Sequence, residues 1–241
     1  MQQTIYRHGH TLHIIQPDRN ENKTCRILYL LIPETGIVNL EDTADSYGLT
    51  IVLISGMDWN KDLTPWPAPA VFTGQNDFGG NASEYRKVLL YELIPYTEEY
   101  MEIAACERIL GGISLAGLFT IYTLYHTDLF AAGLSVSGSF WYDGFIDYMK
   151  EKKMSGTVHA IYFSVGIKER NTKNKRMRVV EKNTGQAAEI LKESGVVVKM
   201  EQMPGNHFAD VGKRVEKAVA WVVKECEAES NIKQCDKNIK E

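Results

Sequence analysis

The chain has 241 residues, 44% apolar and 24% charged, a balance that suits a soluble globular protein and excludes a disordered, collagen-like or small disulfide-scaffold chain. Twenty-seven Lys and Arg against 31 Asp and Glu leave a formal charge of −4, so nothing points to a nucleic-acid partner. The start, MQQTIYRHGHTLHII, has no signal-peptide core, and the longest strongly apolar run, residues 27–32, is far short of the roughly 20 residues that cross a bilayer.

Taken in order, residues 3–7 and 11–16 read as two short strands around His8-Gly9-His10, and 24–32 and 49–55 as buried strands with a short helix over 38–47 between them. A Pro-, Gly- and Trp-rich stretch follows from Gly56 to Gly80. Asn81 or Ser83 is placed to cap a helix carrying Tyr85, Val88, Leu89, Leu93 and Ile94, which Pro95 should kink or break. Strands are expected over 108–113, 131–138, 160–166 and 196–203. The helices between and after them are 115–126, apolar almost all round, then 143–152, 175–194 and 210–226.

Strands apolar on both faces, alternating with helices, predict an α/β fold: one domain with a mostly parallel central sheet and helices on both faces. No linker or composition shift divides residues 1–241; the core is expected over about 3–225, with 226–241 a charged tail that frays. The four cysteines, Cys25, Cys106, Cys226 and Cys235, lack CxxC spacing and are read as free thiols, a folded-back Cys226–Cys235 pair being the alternative. The expected address is the cytoplasm.

Chemistry concentrates in RILGGISLAGLFTIYTLYH, residues 108–126. A strand runs through Gly111-Gly112 to Ser114, and a helix starts at once. That is the arrangement of a nucleophile elbow, a tight strand-to-helix turn with small flanking residues that lifts the serine hydroxyl above the sheet edge. Gly112 fills the position two before the serine, and Ala116 stands where the strict G-x-S-x-G pattern has glycine. A serine nucleophile needs a base, and the base an orienting carboxylate. His207 follows strand 196–203 in the turn MPGNHFAD, whereas His126 ends a helix and His159 precedes a strand. Glu169, just past strand 160–166, is the preferred acid, and Asp143 after strand 131–138 the runner-up. The oxyanion would be held by the Leu115 N–H and by Glu34 or Thr35, because Pro33 has no N–H.

At these residues the chain resembles the esterase D and enterobactin-esterase-like branch of the α/β-hydrolases, over about residues 25–224. The segments that carry the resemblance are GGISLAGLF, SGSFWY at 137–142, SVGIKERNTKN at 164–174, PGNHF at 204–208 and the stretch 54–80. It implies a single-domain α/β-hydrolase fold and a triad that maps to Ser114, Glu169 and His207. Relatives often carry an aspartate where this chain has Ile167, and some siderophore-cleaving ones work with little help from an acid, so a Ser114–His207 dyad stays open. The implied reaction is hydrolysis of a small ester, siderophore-like or aryl/acyl, through an acyl-enzyme and without cofactor. Thioesterase or acyltransferase chemistry with the same triad, or a non-catalytic binding protein on this scaffold, are the alternatives.

Trp59, Trp66, Phe78, Trp141, Tyr142 and Phe208 fall in loops expected near the strand C-terminal ends, as walls of a substrate pocket or as packing for the 56–80 stretch. His8, His10 and His13 lack nearby carboxylates or thiols, so no metal is expected there. The basic run 168–178 reads as a solvated loop and helix start that could help hold an anionic substrate.

Overall fold

The computed structural model describes residues 1–18, 25–34 and 36–240, the side chains of 233–240 excepted. In chain order the elements begin with β1 (Gln2–Arg7), β2 (His10–Ile15), β3 (Arg26–Leu31), α1 (Glu41–Tyr47) and β4 (Thr50–Ser55). Then come α2 (Trp59–Asp62), β5 (Pro67–Ala68), β6 (Phe78–Gly79), α3 (Ala82–Val88), α4 (Ile94–Met101), β7 (Glu107–Ile113) and α5 (Leu115–Leu124). The chain closes with β8 (Ala132–Val136), α6 (Phe145–Glu151), β9 (Ala160–Gly166), α7 (Val180–Glu193), β10 (Val197–Met203) and α8 (Val211–Lys240). An eight-stranded sheet runs β1-β2-β4-β3-β7-β8-β9-β10, antiparallel from β1 to β4 and parallel from there to β10.

The two-sided apolar strands are covered on both faces, as the pattern required. Tyr29, Leu31, Val52, Ile54, Leu110 and Phe163 pack toward the side that holds α5, and every residue of α5 is buried. Their strand neighbours Leu28, Leu30, Ile51, Leu53, Ile109 and Tyr162 pack with Val215, Ala218, Val219 and Val222 of α8. Each fully buried Leu or Ile removes enough apolar surface to contribute about 1.5–3 kcal/mol. The period-2 alternation of side chains therefore builds two cores from one sheet.

Four features depart from the sequence reading. Helix continues through Pro95, because residues Leu89–Leu93 form a π turn just ahead of it. The wider ladder there takes up the missing N–H and the ring's clash with the preceding turn. Asn81 precedes α3, but its side chain donates to Asp62 Oδ1 at 3.0 Å instead of capping the helix. Residues 226–240 continue as helix α8; that run has no Gly or Pro, and Cys226 on it is fully buried. Finally, Cys25 and Cys106 are disulfide-bonded, not free. They lie 81 positions apart, and only the pairing of β3 with β7 makes them neighbours, with the Cys106 N–H donating to the Cys25 carbonyl at 2.9 Å. Cys226 is a free thiol, and the Cys235 side chain lies outside the described residues. No described helix is long and apolar enough to cross a membrane.

Candidate active site

The parallel strands β7, β8, β9 and β10 lie side by side, so the loops leaving their C-terminal ends meet at one edge of the sheet. Ser114 links β7 to α5 with φ 58° and ψ −122°, a backbone state that costs a non-glycine residue roughly 1–3 kcal/mol. The turn is held from both sides: the Ser114 N–H donates to the Val136 carbonyl at 3.0 Å, and the Ser139 N–H to the Ser114 carbonyl at 3.1 Å. It also demands glycine at 112, where a Cβ would lie 2.3 Å from the Ala116 carbonyl carbon and oxygen. Leu115 opens α5, so its N–H is one of the free donors at the helix start.

His207, in the loop between β10 and α8, brings Nε2 to 3.1 Å from Ser114 Oγ and Nδ1 to 2.8 Å from Glu169 Oε2. Glu169 stands after β9 with its side chain only 4% exposed. Its other oxygen accepts the Gly166 N–H at 2.6 Å and the Ser137 hydroxyl at 2.8 Å. Burial alone would raise the Glu169 pKa. Hydrogen bonding and charge from His207, then the Gly166 N–H and the Ser137 hydroxyl, outweigh it and hold the carboxyl below its usual range. A carboxylate surrounded by donors accepts from His207 Nδ1–H. That tautomer leaves Nε2 free to accept the Ser114 proton.

Asp143, the runner-up acid, is salt-bridged to Arg176 at 2.6 Å and half-exposed. Glu34 lies on the exposed loop after β3, while Thr35 is outside the described residues. Of the aromatic residues, Phe78, Trp141 and Tyr142 are buried and pack on one another, and the Tyr142 hydroxyl donates to the Trp66 carbonyl at 2.5 Å. These contacts pin the 56–80 stretch to the domain. Trp141 and Tyr142 also border a surface groove of about 370 Å³ with Asp143, Ile146, Arg176 and Asn183. Trp59 is partly buried against the same core. Phe208 is 83% exposed, its ring edge-on to His207 at 5.1 Å.

Residues 11–210 match the family model described as Putative esterase. The chain belongs to this family. The protein YbbA of Bacillus subtilis strain 168, itself uncharacterized, is 27% identical to this esterase-family chain over 169 residues, 67% of this chain and 68% of that one. The fold is that of an IroE-like serine hydrolase from Shewanella oneidensis, with TM-score 0.74, 16% identity and 93% of this chain matched to 80% of that one. The siderophore hydrolase EstA from Aspergillus nidulans matches with TM-score 0.69 and 17% identity over 93% of this chain and 94% of its own. The enterobactin esterase FES from Shigella flexneri matches with TM-score 0.67 and 15% identity over 92% of this chain and 58% of its own.

Sequence reasoning missed three residues of this esterase-family site. Ser137 and Ser139 lie in SGSFWY, noticed only for its resemblance. Arg214 sits in α8 among Val211, Val215 and Ala218, and a charged residue on the apolar stripe of a helix was the available signal. The basic run has a structural use as well. Arg176 donates to the Pro69 and Ala70 carbonyls, and Asn174 to that of Val71, fastening the 56–80 stretch beside the site.

At the opposite ends of the strands, Glu107, His159 and Cys226 place metal-ligating atoms within 4.8 Å of one another. Arg26 Nε already binds Glu107 at 2.5 Å. Burial first, then the charge of Glu107, push the Cys226 thiol up to about 12. An arginine already on the carboxylate favours an ion-paired cluster over a bound cation. The amino-terminal histidines have separate partners: His8 with Glu92, His10 with the His8 carbonyl and His13 with Thr4.

Proposed function

We propose that the protein is a serine carboxylic-ester hydrolase acting on a small ester through an acyl-enzyme. The observation that supports it best is the relay from Ser114 Oγ to His207 Nε2 at 3.1 Å and from His207 Nδ1 to Glu169 Oε2 at 2.8 Å, assembled from three separate strand-end loops. In this reading His207 takes the Ser114 proton as Oγ attacks the ester carbonyl. The Leu115 N–H and a donor from the loop holding Glu34 receive the developing oxyanion. His207 then protonates the departing alcohol. Water, deprotonated by the same imidazole, cleaves the acyl-Ser114 ester and restores the serine. Glu169 stays ionised throughout, orienting the ring and stabilising the imidazolium.

Aryl or acyl esters and siderophore-like lactones are the substrate classes we favour, since siderophore hydrolases share the fold. The Cys25–Cys106 bridge favours an oxidising compartment over the expected cytoplasmic address, because disulfides persist in oxidising compartments.

The test is a fluorophosphonate probe together with a panel of p-nitrophenyl esters, a thioester and a trilactone siderophore. Labelling at Ser114 with ester turnover, both lost in Ser114→Ala, is the expected result. A wild-type protein that neither labels nor turns over any ester refutes the reading.

A further inference from the structure

We propose that Arg214 is a positioning residue for this reaction, one guanidinium that sets the places of both the acid and the base; the proposal rests on the hydrolase reading above. Arg214 is fully buried. Its Nη1 donates to Ser137 Oγ at 2.8 Å and to Glu169 Oε1 at 3.3 Å, and its Nη2 donates to the carbonyls of Pro204 at 2.8 Å and Asn206 at 2.9 Å. Those partners lie on the loops after β8, β9 and β10, and Asn206 is the residue directly before His207.

An arginine costs several kcal/mol to bury unless its charge and donors are met. Here a carboxylate meets the charge, and the Nη donors go to groups whose position matters to the relay, while Nε has no hydrogen-bond partner among the described residues. Ser137 extends the arrangement, because the hydroxyl that receives from Arg214 donates to the same Glu169 oxygen. The loops close tightly around the guanidinium: a Cβ at Gly166 would lie 2.9 Å from Arg214 Nη2 and 2.7 Å from the Gly205 carbonyl oxygen. Arg214 therefore restrains Glu169 from one side and the backbone that carries His207 from the other. Lysine, with one point-like ammonium, cannot span both. The remaining charges on these loops, Lys168, Arg170, Lys173, Lys175, Arg178 and Asp210, are exposed and screened by water, and Asp143 and Arg176 pair with each other.

The experiment compares wild type, Arg214→Met, Arg214→Lys, Glu169→Gln and the Glu169→Gln/Arg214→Met double variant with a fluorogenic short-chain ester. Arg214→Met should lower kcat by about 10–100-fold, leaving KM within about twofold, because geometry and not ground-state binding is lost. In the Glu169→Gln background the same substitution should cost less than about threefold, because the partner it works through is already disabled. Equal losses in the two backgrounds would make Arg214 a stability residue only and overturn the proposal.

Should Arg214→Met fail to fold, Arg214→Lys decides. A folded Lys variant is expected to lose at least about tenfold in kcat with KM within about twofold of wild type; wild-type kcat in that variant overturns the proposal. Turnover by the wild type separates the two levels of the argument. Without it the hydrolase reading falls and takes this proposal with it. With turnover but additive losses, only the role of Arg214 falls.

Discussion

Replacing Glu169 by glutamine tests the relay most directly, because the surroundings of the carboxylate dictate which way the amide must sit. Oε1 accepts from the Gly166 N–H at 2.6 Å, the Ser137 hydroxyl at 2.8 Å and Arg214 Nη1 at 3.3 Å. Three donors on that side require the amide oxygen there, so the new NH2 faces His207 Nδ1 across the 2.8 Å contact. Nδ1 must then accept, the ring proton moves to Nε2, and Nε2 can no longer take the Ser114 proton. Restoring the working tautomer would set N–H against N–H in a buried contact. Losing a charge-assisted hydrogen bond and leaving a buried donor unmet together cost about 2.5–6 kcal/mol, or roughly 10²–10⁴-fold in kcat. Glutamine matches glutamate in shape and keeps the Oε1 partners, but it leaves the buried Arg214 guanidinium without its counter-charge, so the variant should be less stable by about 3–5 kcal/mol and is assayed at a temperature where it is folded. Steady-state kinetics on a short p-nitrophenyl ester, with near-UV circular dichroism to confirm packing, measure the effect. A kcat within tenfold of wild type would refute this reasoning and favour a Ser114–His207 dyad that needs no acid.

Two further outcomes are expected. Glu201 is held down to about 2, burial pulling it up and the bonds from Tyr162, Lys217 and Lys199 outweighing that. A lowered folded-state pKa stabilises above the ordinary value near 4.5 and ceases to do so as pH falls toward about 2. The gap in denaturation free energy between wild type and Glu201→Gln should therefore be constant above about pH 5.5 and shrink through that window; a gap independent of pH would show that the ionised carboxylate is not what stabilises. Gly112→Ala would drive a Cβ into the helix backbone at Ala116, 2.3 Å away, and should cost about 3 kcal/mol or more. A fall in Tm of roughly 6–12 °C with loss of activity is the expected calorimetric result, and an unchanged Tm would mean the turn is far looser than its geometry implies.

Most of the fold was legible because it is encoded locally. Strands such as 26–31 and 160–166 are apolar on both faces, and that property follows from burial between two layers of helices whatever the rest of the chain does. What escaped was set by neighbours distant in sequence or by backbone adjustments no side chain announces. The Cys25–Cys106 bridge exists only because β3 and β7 pair, and no spacing rule brings positions 81 apart together. The π turn before Pro95 is a solution to a local conflict, and the proline shows the conflict but not the remedy. The 56–80 stretch looked structureless because α2 and the β5–β6 pair are too short for periodicity, and their anchors, Arg176 and Tyr142, come from elsewhere in the chain.

The candidate site divides along the same line. Ser114, Glu169 and His207 could be found in the sequence because each follows a strand in a parallel order, and topology brings such ends together. Their supports could not be found that way. Ser137 and Arg214 lie outside the elbow in sequence, and they reach Glu169 across 32 and 45 residues. The clue they leave is an inconsistency: a fully buried arginine on an otherwise apolar helix face, worth burying only if something nearby needs its charge. Glu169 needs it for the same reason that it suits its proposed role. A carboxylate withdrawn from water stays ionised beside a histidine only when several donors share its charge. Burial that raises its pKa and donors that lower it are thus two halves of one arrangement.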